Sequence, residues 1–331
     1  MVARAHKELA AVDALKGHGF EFLAFNQYIR SGYRVHHTWH DCVLSLFQLH
    51  NETWNVWSHL VGAVVFLVLT LHHATLQLHD MDVFAAYMPS SLGRHALPLH
   101  LRLGPHTPLS SSMSSSIEQV PPASFIQTHA QHVSTWPIIA YTTGVCICFT
   151  CSAIYHLLYI QSRAWCDWFT QVDYAGIIVL IAGAFVPLVS YSFYCKPDVV
   201  VAYLSVVGML ATASLVASFA PSFQAHPHIR TAVFLALAGF GSVPVMHVIQ
   251  QDGLLHDHTQ LTLHGIATTS AVNLVGVSLY MQRLPERAFP GRFDMVGSSH
   301  QWWHLCVFMA ALMYYAYAMR HYEWRCMTPC S

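Results

Sequence analysis

Three histidines, His156, His300 and His304, each stand at the end of a long apolar run. A neutral imidazole nitrogen is a good ligand for a borderline cation such as zinc (Zn2+), and three of them leave a fourth position open for water. His300 and His304 are spaced i, i+4, so on a helix their rings share one face and can grip one ion. Ser152 precedes His156 by the same interval, one helical turn away. Asp173 opens the next apolar run, in VDYAGI. A carboxylate there could orient or deprotonate a metal-activated water. The serine hydroxyl could support it or donate to developing charge. Further upstream, Glu52, Asn55 and His59 in ETWNVWSH fall on one helical face at i, i+3, i+7. Polar groups at the end of an apolar helix should turn into a bundle, where these three read as a hydrogen-bonded latch between helices.

Each of these residues also has a plainer reading. The chain holds 25 histidines, so pairs arise by chance. The trio could be interfacial or core histidines that each satisfy one hydrogen bond. A competing group, His247, His256, His258 and His264, lies toward the other face, mostly in a loop. Asp173 at the start of a helix could be a cap that favours the helix dipole. Ser152 could bond back to its own helix.

The elements that must position these groups follow from composition. Of 331 residues, 54% are hydrophobic and only 9% charged, against about 25% charged in a soluble domain. Mean hydropathy is +0.41. A net charge of -1 offers no basic surface for nucleic acid. The fold class is therefore all-α integral membrane, a multi-pass bundle, and no cleavable signal peptide is visible ahead of it. A helix needs about 20 mostly apolar residues to cross the hydrocarbon. Seven segments qualify: Asn55–Ala74, Trp136–Ile160, Tyr174–Tyr194, Val199–Ala220, Thr231–Ile249, Gly265–Met281 and Gln301–Met319. In lipid the backbone must satisfy itself, so these are helices.

Basic residues orient the bundle. With the N-terminus inside, ten of the 15 Lys and Arg lie on the inner face, Arg163, Arg230, Arg283, Arg287 and Arg292 among them. The N-terminus is thus expected in the cytosol and the C-terminus outside. That arrangement brings His156, Asp173, His300 and His304 to the inner face, and it hides the sequon Asn51-Glu52-Thr53 from glycosylation. The expected organisation is a cytoplasmic tail (1–40), a membrane domain (41–320) and a short outer tail (321–331). Within the membrane domain, 75–134 is a flexible outer loop, Ser-rich and Pro-ended from Leu109 to Pro122. The spacing of Val43, Leu44 and Phe47 suggests a short helix lying in the inner interface. Cys326 and Cys330 could pair if the tail meets an oxidising lumen, whereas Cys146, Cys148 and Cys151 read as packing residues.

Taken together these residues resemble the progestin and adipoQ receptor family. The likeness rests on E-x-x-N-x-x-x-H at Glu52, Asn55 and His59, and on S-x-x-x-H at Ser152 and His156. It continues with DYAGI from Asp173 and H-x-x-x-H at His300 and His304. GAFVPLVSYSFYC, from Gly183, and LPERAFPGRFD, from Leu284, look like the adiponectin-receptor branch. The resemblance runs from Gly32 to Tyr317 and departs only in the long outer loop. It implies seven helices with a cytosolic N-terminus, in a plasma membrane or an endomembrane. It implies zinc held by His156, His300 and His304, with Asp173 bonded to the zinc water. For the adiponectin-receptor branch it implies hydrolysis of a ceramide-like lipid amide and response to an extracellular protein; for other branches, a steroid ligand. The alternative function is a receptor in which zinc is purely structural.

Other classes fit less well. No lysine follows Lys196, so a seventh-helix Schiff base to retinal is excluded. The G-x-S-x-G and H-E-x-x-H motifs are absent, as are the D-R-Y and N-P-x-x-Y landmarks of G-protein-coupled receptors.

Overall fold

In a computed structural model the chain is described over residues 8–16, 19–87, 133–220, 223, 225–328 and 330, with the backbone alone at Glu8 and over 79–87. Of the expected outer loop at 75–134, residues 75–87 instead continue the first long helix, and 88–132 lie outside the described residues. Two short strands, β1 (Glu8–Ala10) and β2 (Tyr33–Val35), pair antiparallel with Glu8 opposite Val35. Among the described residues nine α-helices follow: α1 (Trp39–Leu44), α2 (Thr53–Tyr87), α3 (Trp136–Leu158), α4 (Arg163–Ser192), α5 (Pro197–Ser218), α6 (Pro227–Gly239), α7 (Ser242–Asp252), α8 (Asp257–Gln282) and α9 (Ser299–Met327). Among the described residues, five stretches are long and apolar enough to cross a membrane: α2 to Leu78, α3 with its terminal turn, α4, α5, and α6 continued through α7. This is a helical protein of membrane type.

Several boundaries differ from the expectation, each for a local reason. The third apolar segment begins eleven residues early, at Arg163 rather than Tyr174. Ser162 caps it by accepting from the Trp165 amide at 3.2 Å, and Arg163 pairs with Asp167 at i+4. Hydropathy overlooks such a polar, tryptophan-rich first turn. The fifth segment is two helices, broken at Phe240–Gly241. The seventh continues to Met327, so most of the expected tail is its last two turns. There Cys330 bonds to Cys195, not to Cys326, which stays a free thiol packed on the core.

The main core lies where α2, α3, α4 and α9 meet, around Phe66, Tyr141, Phe149, Leu188 and Tyr314. Two glycines set the spacing that matters most. A Cβ on Gly176 of α4 would stand 3.0 Å from the Cα of Cys148 on α3, so the two backbones touch there. Continuing that antiparallel register one turn brings Ser152 beside Asp173. Gly276 of α8 leaves room for the side chains of Trp303 and Cys306, which seats the early turns of α9 against α8.

A second core covers one end of the bundle. Leu15, Leu23, Ile29, Tyr33 and Val35 of the N-terminal segment pack on Tyr159 and Ile160 at the end of α3. Helix α1 opens with a capping box between Thr38 and Asp41. It exposes Trp39, Val43 and Leu44, and Phe47 just after it is 81% exposed, an apolar face suited to a bilayer interface. Trp39 meets Trp165 edge-on at 5.2 Å, which ties α1 to the early turns of α4.

Candidate metal centre

His156 lies in the last turn of α3, and His300 and His304 in the first turns of α9. The chain runs in opposite directions through these two helices, so their ends meet. One ring nitrogen from each histidine falls within 4.8 Å of the others. Nε2 of His300 is 3.2 Å from Nε2 of His156. Two nitrogens bound tetrahedrally to one zinc at about 2.05 Å would be about 3.3 Å apart, the spacing of the His156–His300 pair, and three neutral imidazoles are a donor set suited to that ion. His156 and His304 are 1% and 2% exposed, and His300 is partly open.

The groups behind the rings come from the start of α2. The Glu52 carboxylate accepts from Nδ1 of His156 at 2.8 Å, from the Asn55 amide at 2.6 Å and from the Tyr159 hydroxyl at 3.2 Å. Nδ1 of His304 faces the Asn55 carbonyl at 3.2 Å and the Ser58 hydroxyl at 3.3 Å. His59 stacks on His304 with ring centres 3.7 Å apart and planes within 7°. The structure therefore brings Glu52, Asn55 and His59 together behind the histidines, where Glu52 and Asn55 bond to each other and link the start of α2 to α3 and α9.

Asp173 sits in the third turn of α4, so it caps nothing; Ser162 does that. Its carboxylate lies beside the Ser152 hydroxyl and interacts electrostatically with His156. Ser152 is buried and turned across to α4. The competing group does not converge. His258 bonds to Asp252, His247 faces the Tyr203 hydroxyl, and His256 accepts from the His258 amide.

Three contributors were not visible in the sequence. Arg34, 1% exposed, donates to the carbonyls of His156 and Leu157 at 2.7 and 3.1 Å and to the Ser45 hydroxyl at 2.7 Å. It thereby satisfies the orphan end of α3. Glu286, wholly buried, accepts from the Ser299 amide at 2.7 Å and from the Ser299 hydroxyl, which anchors the start of α9. His50 accepts from the Glu52 amide at 3.1 Å. Burial, and then the Arg34 charge, lower the His50 pKa to about 3, so its ring is neutral. Burial also lowers the Arg34 pKa and raises that of Tyr33.

Comparison with known proteins gives the architecture its lineage. Residues 47–315 match the haemolysin-III related family, most of the chain and all of the candidate centre. The chain belongs to the haemolysin-III related family. Within it, the chain is 31% identical to the heptahelical transmembrane protein ADIPOR3 of Oryza sativa, over 93% of this chain and 90% of that one. It is 29% identical to the adiponectin receptor protein of Drosophila melanogaster, over 89% of this chain and 56% of the relative. Against progestin and adipoQ receptor-like protein 1 of Caenorhabditis elegans the identity is 28%, over 89% and 57%. The resemblance drawn from the motifs is borne out.

Proposed function

We propose that this haemolysin-III related protein is a seven-helix membrane receptor with a zinc centre near its cytosolic face, and that it hydrolyses a ceramide-like lipid amide there. The observation that carries the reading is the convergence of three imidazole nitrogens within 4.8 Å, from segments 144 residues apart. Zinc, when bound, would polarise an amide carbonyl and acidify water at neutral pH. The protein's own groups then have distinct tasks. Asp173 takes a proton from the attacking water on a carboxylate oxygen and returns it to the leaving amine as the carbon–nitrogen bond breaks. Ser152 donates to Asp173 and keeps that carboxylate aimed. An apolar cavity of about 380 Å³, bordered by Leu180, Phe185, Ile266, Val307 and Tyr314, would receive the acyl chain from the bilayer.

The topology proposed with it adds α8 and α9, of 26 and 29 residues, to the five apolar stretches. Seven crossings put the termini on opposite sides. Disulfides persist in oxidising compartments, so the end that carries Cys195–Cys330 would be extracellular or luminal, and the histidine centre, at the other end, cytosolic.

The near-complete burial of His156 and His304 favours a second reading. In it zinc only clamps α3 to α9, and an extracellular protein or a steroid acts by shifting helix packing.

The deciding experiment is ceramide hydrolysis by purified protein of known zinc content. Asp173→Asn should keep stoichiometric zinc and lose at least 100-fold in turnover. Undiminished turnover ends the hydrolase reading, and a parent without zinc ends both.

A further inference from the structure

We infer that Glu52 is the positioning residue of the metal centre. It fixes His156 in the tautomer whose Nε2 lone pair faces the ion, and so governs how tightly that ion is held. The inference rests on the zinc reading above and extends it to a residue outside the ligand set.

A neutral imidazole has one proton to place on two nitrogens. Only the tautomer with hydrogen on Nδ1 leaves Nε2 free to bind a cation. His156 presents Nδ1 to Oε2 of Glu52 at 2.8 Å and Nε2 to the His300 ring. An ionised carboxylate can only accept, so its position dictates hydrogen on Nδ1. Two further donors, the Asn55 amide at 2.6 Å and the Tyr159 hydroxyl at 3.2 Å, hold that carboxylate as an acceptor. Both residues are almost sealed from solvent, Glu52 at 4% and His156 at 1% exposure. Bulk water therefore offers no competing partner.

The position is also anchored. Glu52 is the residue before α2, and its amide donates to Nδ1 of His50 at 3.1 Å. The carboxylate is thus fixed by backbone as well as by its own hydrogen bonds. The other end of the centre is built differently. Nδ1 of His304 faces the Asn55 carbonyl and the Ser58 hydroxyl, both uncharged. His156 therefore has a full negative charge behind it where His304 has dipoles. A carboxylate behind an imidazole raises the basicity of its far nitrogen, and losing such a partner typically weakens metal binding 10–100-fold.

Glu52→Gln separates this role from simple packing. Glutamine keeps the shape but loses the charge. It must also point its NH2 at a donor, either Asn55 and His156 on one side or Tyr159 on the other. The test is the zinc dissociation constant of the purified full chain, by competition with chelators, for the parent, Glu52→Gln and Tyr159→Phe. Glu52→Gln should weaken zinc by about 10–100-fold, and Tyr159→Phe, which keeps the carboxylate, by no more than about threefold. A Glu52 that merely held helices together would lower the melting temperature of the metal-free variant and leave its zinc constant alone. A parent that grips zinc beside a Glu52→Gln variant within about threefold of it overturns this inference only. A parent that holds no zinc overturns the zinc reading and this inference with it. If Glu52→Gln does not fold, the 15N shifts of His156 in the metal-free parent decide, assigned by comparison with His156→Gln. Hydrogen on Nδ1 is expected, and hydrogen on Nε2 refutes the inference.

Discussion

Arg34 reaches from β2 to the backbone of His156 in the candidate metal centre: its Nη2 donates to the His156 carbonyl at 2.7 Å. The guanidinium is buried where the end of α3 would otherwise leave carbonyls unpaired, and it also holds Ser45 after α1. Removing it leaves the carbonyls of His156 and Leu157 without this donor and takes one hydrogen bond from the Ser45 hydroxyl, which keeps its bond to the Cys42 carbonyl. Arg34→Met should cost about 2–4 kcal/mol of stability, read as a lowered midpoint in thermal unfolding of the purified protein. Arg34→Lys should recover only part of this, because one ammonium cannot span carbonyls on two residues and a hydroxyl. An unchanged midpoint for both variants would mean that the contact contributes nothing.

Acid should loosen the same region through His50. Its ring accepts from the Glu52 amide through Nδ1 and faces the Ser45 carbonyl through Nε2, so the fold needs it neutral. The folded pKa, about 3, lies below the unfolded value of about 6.5. The unfolded chain therefore binds the proton first. The contribution of His50 is whole above pH 6.5 and is lost progressively as pH falls toward 3. By pH 5 the loss is about 2 kcal/mol. His50→Gln should flatten the dependence of the melting temperature on pH between 7.5 and 5. A variant that stays as acid-sensitive as its parent would remove His50 from the account.

The residues that these two predictions concern mark the limit of what the sequence discloses. His156, His300 and His304 are legible because helical spacing and alternate crossings fix both their face and their end. Asp173 is legible as a member of the site but not in its setting. Hydropathy begins α4 at the first unbroken apolar residue, whereas the helix begins at Ser162, whose cap has no apolar signature. Arg34 is legible only as a positive charge on the inner side. Its contact with the α3 carbonyls depends on how the N-terminal segment folds back over 122 residues of sequence separation, and nothing local encodes that. Glu52 is read as a latch because i, i+3, i+7 spacing says which residues share a face, but not which ring that face meets.

At the opposite end of the bundle, His258 and His321 face each other Nε2 to Nε2 at 2.8 Å, both wholly buried. Asp252 holds Nδ1 of His258 at 2.6 Å, and the Tyr317 hydroxyl meets Nδ1 of His321 at 3.1 Å. The chain Asp252–His258–His321–Tyr317 therefore joins α7, α8 and α9 through hydrogen bonds whose two central histidines are sealed from solvent. His321→Phe leaves both His258 and Tyr317 short of a partner and should cost about 1–3 kcal/mol. Zinc content should be unaffected, since the variant lies at the far end of α9. A double-mutant cycle with Asp252→Asn should show coupling above about 0.5 kcal/mol. Strict additivity would break the chain into independent contacts.

Chelation tests the histidine end in the same way. The histidines that would grip zinc belong to α3 and α9, which are far apart in sequence and joined at this point through His156 and His300. A ligand that binds only the folded chain adds RT ln(1 + [L]/Kd), about 2.7 kcal/mol at 100 times Kd. Treatment with a strong chelator should thus lower the melting temperature of the parent, and added zinc should restore it. His304→Ala should start near the chelated value and respond to neither treatment, because two imidazoles hold zinc far more weakly than three. His264→Ala, on α8 and outside the trio, should behave like the parent. Equal chelator shifts in parent and His304→Ala would assign the stabilising metal to another site.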